Sequence, residues 1–172
     1  VWSIPGPSAL LAALTTAGVA TDRFHFEGFL PPRQAARLKR IARLAQLDTT
    51  LLFYEAPQRL ADTLADLANE LGPREAAVAR ELTKLHETVR RGRLDALAAW
   101  AAAEEVRGEI VIVVAPADAA AANVEDRDIE AALASVGSNL TLRDAVRAVA
   151  EQLGVPRGRV YEIGLRLKQS SK

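Results

Sequence analysis

Residues 109–115 read Glu-Ile-Val-Ile-Val-Val-Ala, and no other run constrains the fold as strongly. An unbroken β-branched stretch has no polar side to turn to water, so it suits a strand covered on both faces. Such a sheet needs helices above and below it, and the rest of the chain has the periodicities to supply them.

Residues 8–17 read as a helix, with Ser8 near its start and Gly18 stopping it. Residues 23–30 place Phe24 and Phe26 at alternate positions, a strand signal that Pro31 and Pro32 end. Residues 33–46 return to helix, and 49–55 form a short run of β formers. Leu60, Leu64, Leu67 and Leu71 recur at helical spacing within 58–71, closed by Gly72-Pro73. Residues 76–82 and 86–92 read as a hairpin around Lys84, and 94–104 as an alanine-rich helix. The expected fold is an α/β sandwich with a mixed sheet flanked by helices over residues 1–117. A linker over 118–126 and a small all-helical subdomain over 127–172 complete it.

Composition narrows the functional classes. Apolar residues make up 49% and charged residues 26%, as in ordinary globular domains. The chain has no cysteine and only two histidines, His25 and His86, so no metal site is expected. No apolar run approaches the roughly 20 residues that span a bilayer, so no membrane partner is expected and the default location is the cytoplasm. Val1 to Ile4 read as the stump of a strand before a strand-to-helix elbow. The chain is therefore expected to be the later part of a larger protein.

Four clusters are candidates for ligand contact. Pro5-Gly6-Pro7-Ser8-Ala9 sets an open backbone beside a helix start with free N–H groups. A plain connector turn would read the same way. Tyr54 and Glu55 fall where a buried strand ends, the edge at which ligands gather in open α/β sheets. The plain alternative is a core tyrosine and a glutamate favouring the next helix. Arg80-Glu81-Leu82-Thr83-Lys84-Leu85-His86-Glu87 is dense in ionisable groups, as an ion-paired hairpin would also be. Gly108 and Glu109 precede the last strand, where a glycine allows a ligand or a neighbouring backbone to approach.

Two segments are basic. Arg33, Arg37, Lys39, Arg40 and Arg43 occupy one helix, and no acid occurs from Gly28 through Leu47. The tail from residue 138 carries seven basic residues, Arg157 and Arg159 among them, against three acids. It reads as helix, glycine-centred turn, helix, with Thr141 and Asp144 as an N-terminal cap pattern. A solvated helical face and a core-covering hairpin are the plain alternatives, and nucleic-acid contact is the functional one.

The strings Ile4-Pro-Gly-Pro-Ser-Ala9, Phe26-Glu-Gly-Phe-Leu-Pro31, Leu52-Phe-Tyr-Glu-Ala-Pro-Gln-Arg-Leu60, Ala79-Arg-Glu-Leu-Thr-Lys84 and Arg107-Gly-Glu109 together resemble the ribosomal RNA small-subunit methyltransferase I family of the tetrapyrrole methylase superfamily. The resemblance runs over essentially the whole chain. It implies methyl transfer from S-adenosylmethionine to the ribose 2′-hydroxyl of a cytidine in 16S ribosomal RNA, by a homodimer without a metal. It also implies a cofactor cleft between two α/β domains. This chain would supply Pro5, Gly6, Ser8, Ala9, Tyr54, Glu55, Glu81, Leu82, Gly108 and Glu109, and a preceding domain would supply the rest. The chain would then be inactive alone. Arg33, Arg37, Lys39, Arg40, Arg157 and Arg159 become the expected RNA contacts, with the small ribosomal subunit as partner. The resemblance fixes no catalytic base; Glu55, Glu81 and His86 are candidates. A corrin or porphyrin substrate and a non-enzymatic nucleic-acid-binding module are the alternatives.

Overall fold

The computed structural model describes residues 1–117, 124–136 and 141–170. The elements, in chain order, are α1 (Ala9–Ala17), β1 (Phe24–Phe29), α2 (Gln34–Leu44), β2 (Thr50–Glu55), a 3-10 turn (Pro57–Arg59), α3 (Leu60–Leu71), β3 (Glu75–Arg80), β4 (Thr88–Arg93), α4 (Leu94–Ala103), β5 (Ile110–Val114), α5 (Asp126–Ser135), α6 (Leu142–Leu153) and α7 (Arg157–Ser170). The linker expected over 118–126 lies outside the described residues as far as 123. Its end is helical: α5 begins at Asp126, with Glu125 and Asp128 forming a reciprocal capping box.

The strands form one mixed sheet in the order β1-β2-β5-β3-β4. β1 and β2 are parallel; the other three pairings are antiparallel. All five residues of β5 are buried, as a central strand with helices on both faces requires. On one face Phe53, Val78, Ile112 and Val114 pack with Ile41, Leu64, Leu67 and Leu97 of α2, α3 and α4. On the other, Leu52, Ala77, Ala79, Val111 and Val113 pack under α1. A third cluster, including Ile129, Val146, Val149, Val160 and Ile163, joins α5, α6 and α7.

Three expectations need correction. Val1 to Ile4 are exposed and pair with no strand: the sheet's edges are β1 and β4, and this segment lies on neither. The helix expected from residue 58 opens as a 3-10 turn behind Pro57. The second hairpin strand starts at Thr88, since residues 81–87 form the loop.

Candidate functional site

Strand register brings three of the four clusters to one end of the sheet. Glu55 at the end of β2 and Arg80 at the end of β3 both lie opposite Ile110, where β5 begins. Thr88 lies opposite Arg80, and Phe29 opposite Tyr54. The fourth cluster follows from the direction of α1. Beyond that helix, Ala20 O accepts from Thr50 Oγ1 at 2.6 Å, at the far end of the sheet. Arg91 on β4 donates to the last carbonyls of α1, those of Thr16 and Ala17. The start of α1, with Pro5 to Ala9, therefore points towards the Glu55–Arg80 end.

Glu81 and Gly108 interlock there. Glu81 Oε1 accepts from Glu109 N–H at 2.8 Å, and Glu81 N–H donates to Glu109 O at 2.9 Å. A Cβ on Gly108 would lie 2.6 Å from the Glu81 side chain, and the φ of Gly108 is +95°. The close approach that this glycine permits is thus filled by the protein's own carboxylate. Lys84 Nζ joins it, 3.1 Å from Glu81 Oε1 and 3.0 Å from Glu109 Oε2. The Glu109 N–H and then Lys84 hold the Glu81 carboxyl below its ordinary value, and Glu109 and Glu81 push the Lys84 ammonium up. Glu81 and Thr83 adopt left-handed backbone (φ +50° and +65°), which costs a non-glycine residue energy unless the surroundings hold it. Arg80 does that holding: its guanidinium donates to Thr88 Oγ1, Arg107 O and His86 O, each at 3.2 Å.

Glu55 is a correction. Its side chain is fully buried, accepting from Thr63 Oγ1 at 2.7 Å and Ala56 N–H at 2.8 Å, with Arg59 at 3.4 Å. It fastens the end of β2 to the start of α3, and no free carboxylate faces a ligand. Tyr54 points to the other face, edge-on to Phe26 (centroids 4.8 Å apart) and tilted against Phe29. Pro5, Gly6 and Pro7 are exposed; the space around Gly6 is open, and Ser8 makes no side-chain cap bond. Leu82 packs partly buried against the core under α1. His86 is exposed on the loop.

The basic helix is less open than its sequence. Arg37 is 4% exposed and donates to Asp66 at 2.7 Å, so it is no surface contact. Its position, four residues before Ile41 and seven before Leu44, put it on the apolar stripe, the one sequence signal that marked it. Arg40 grips Glu27 with two bonds of 2.5 and 2.7 Å. Arg33, Lys39 and Arg43 are exposed and have no ionic partner among the described residues. The tail is also engaged. Arg159 bonds Asp126 at 2.8 Å and Val124 O at 2.9 Å, and Arg157 reaches Asn69. The turn of the helix pair packs on α3: a Cβ on Gly72 would lie 3.4 Å from Gly154 O. The turn before α7 therefore packs on α3, while Arg157 and Gly158 at the start of α7 stay exposed. Among the described residues no cluster of metal-binding side chains occurs, and no helix is long and apolar enough to cross a membrane.

A family model described as tetrapyrrole (corrin/porphyrin) methylases matches residues 1–98. The chain belongs to this family. Among curated relatives it is similar to ribosomal RNA small subunit methyltransferase I of Mesorhizobium japonicum, 44% identical over 99% of this chain and 58% of that protein. Proteins of the same name from Synechocystis sp. (42%; 98% of this chain, 61% of that one) and Xylella fastidiosa (46%; 94% and 60%) are also similar. The chain thus spans about three fifths of these relatives' length. Among solved structures, the methyltransferase CobJ superposes with a TM-score of 0.51 at 24% identity, covering 66% of this chain and 49% of that one. That likeness bears on the fold alone, and it agrees with the mixed α/β sheet.

Proposed function

We propose that this chain forms the cofactor-facing part of an S-adenosylmethionine-dependent RNA methyltransferase. The whole protein would act on the ribose 2′-hydroxyl of a cytidine in 16S ribosomal RNA. The observation that carries the reading is the convergence of the four candidate clusters on one end of the sheet. The 41–46% identity to the rRNA methyltransferases supports RNA over a tetrapyrrole as substrate.

The residues present fit the cofactor. The first-turn N–H groups of α1 suit a carboxylate, the open backbone at Gly6 admits close approach, and the Tyr54 ring offers a flat apolar wall. S-adenosylmethionine would supply a methyl group already activated on a sulfonium. What the chain contributes is orientation and exclusion of water, and for such a leaving group in-line placement is a large part of the rate effect. Glu55 and Glu81 are both committed to protein donors, so neither serves as a poised base here. Arg33, Lys39 and Arg43 are the members of the basic segment free to meet RNA phosphates. A preceding domain, a homodimer, a cytoplasmic setting and the division into 1–117 and 127–172 belong to the same proposal. The exposed Phe24, Phe26 and Phe29 are the kind of surface a partner covers.

Calorimetric titration of S-adenosylmethionine into this chain, alone and with the remaining two fifths of the protein supplied separately, tests the reading. Binding in the mixture and not by the chain alone is expected. No binding in either sample, with both pieces folded and associated, overturns it.

A further inference from the structure

A cleft of about 510 Å3 lies against β4 and the end of α4, lined by Arg80, Thr88, Arg90, Trp100, Glu104 and Glu105 among others. It adjoins the candidate site, because Arg80 and Thr88 form the last pair of the β3–β4 ladder and Glu81 follows directly. The Arg90 guanidinium lies over the Trp100 ring, 4.5 Å from its centroid. The Glu104 carboxylate is 3.9 Å away, too long to take up the group's donors. Trp100 Nε1–H is buried and has no acceptor among the described residues, so the indole meets the cleft through its ring and not through its N–H. No step of the reading above uses any of these groups.

We propose that this cleft seats a single-stranded stretch of the RNA substrate, with one nucleobase stacked on the outer face of the Arg90 guanidinium. The proposal rests on the RNA reading given above. A guanidinium held over an indole leaves its outer side open as a cationic surface, and nucleobases that are not paired stack on guanidinium planes. The contact with Trp100 restrains the Arg90 side chain in advance, so less freedom is lost on binding. Glu105 is taken up by Arg107, with bonds of 3.0 and 2.9 Å, but Glu104 repels phosphates and accepts hydrogen bonds, which suits a base amino group or a ribose hydroxyl. The chemistry therefore selects an unpaired nucleoside over a bare phosphate. An unpaired stretch is also what an enzyme reaching one ribose needs beside its site.

The chain has two tryptophans, Trp2 and Trp100, so Trp2→Phe leaves Trp100 as the sole tryptophan, which red-edge excitation reads apart from the two tyrosines. Titration of that variant with a single-stranded hexacytidylate RNA at low salt reads the cleft directly. Saturable quenching of Trp100 is expected. Arg90→Ala should weaken binding about tenfold, and Arg90→Lys, which keeps the charge but loses the plane, by at least about fivefold. Arg33→Ala with Lys39→Ala should lower affinity and salt dependence while leaving the quench amplitude unchanged. Unchanged denaturation midpoints confirm that the variants fold. RNA affinity within twofold of the parent in Arg90→Ala, or full recovery in Arg90→Lys, overturns the cleft and leaves the RNA reading standing. Absence of RNA binding by the folded chain also overturns the cleft. Methyl transfer to 16S ribosomal RNA by the full-length protein then decides the parent reading separately.

Discussion

The two faces of the sheet are built to different degrees of closure. On one, α2, α3 and α4 bury Phe53, Val78, Ile112 and Val114 almost completely. On the other, a single nine-residue helix, α1, packs against β5, β3 and β4. Phe24, Phe26 and Phe29 on β1 stay 43%, 40% and 63% exposed. The closed face contributes stability, and the open face contributes surface. All four candidate clusters lie at the sheet end where the open face meets the loops, which is where folding alone leaves surface uncovered.

This contrast can be broken by substitution. Phe53→Ala on the closed face should cost about 4 kcal/mol, read from denaturant unfolding, because it opens a cavity in a fully packed layer. Asp66→Ala should cost about 3 kcal/mol in the same measurement by leaving the Arg37 guanidinium buried and unpaired. A loss below about 1 kcal/mol in either case would show the closed face to be looser than described.

Gly108→Ala sits at the meeting point of the two regimes. The clash with Glu81 and the left-handed φ should cost about 2 kcal/mol, and cofactor binding in the assembled protein should fall with it. Adding Glu81→Ala should recover the steric part; strict additivity in the double-mutant cycle would deny the interlock. On the open face, Phe26→Ala should cost about 1 kcal/mol, mostly its edge contact with Tyr54, and Phe29→Ala about half that.

The smallest effect is electrostatic. The Glu81 carboxyl is held below its ordinary value of 4.5, so its contribution is present above that pH and fades as pH falls through the lower, folded value. The Glu109 amide proton, which Glu81 accepts, should titrate in NMR with a midpoint below 4.5. A midpoint at or above 4.5 would contradict the contact.

Much of the fold was legible because burial leaves period in a sequence. The β-branched run at 109–115 became the central strand, the leucines of α3 became core, and Thr141 caps α6 by accepting from Asp144 N–H. Residues expected to bind were legible as types and not as states. Glu55 and Arg37 read as available charges, but each meets a partner from another element, Thr63 and Asp66, whose identity no local pattern announces. Arg90 and Trp100 escaped notice because ten residues and a turn of chain separate them before the fold stacks one on the other.

The sequence by itself determined the elements, the two-sided burial of β5 and the family, since all three follow from the order and period of side chains along the chain. Tertiary structure alone decided that β5 lies between β2 and β3, that Glu81 fills the space at Gly108, and which cations meet carboxylates. The reason is range. Periodicity reports whether a side chain is buried, but which group it is buried against depends on contacts tens of residues apart, and only the closed sheet fixes those.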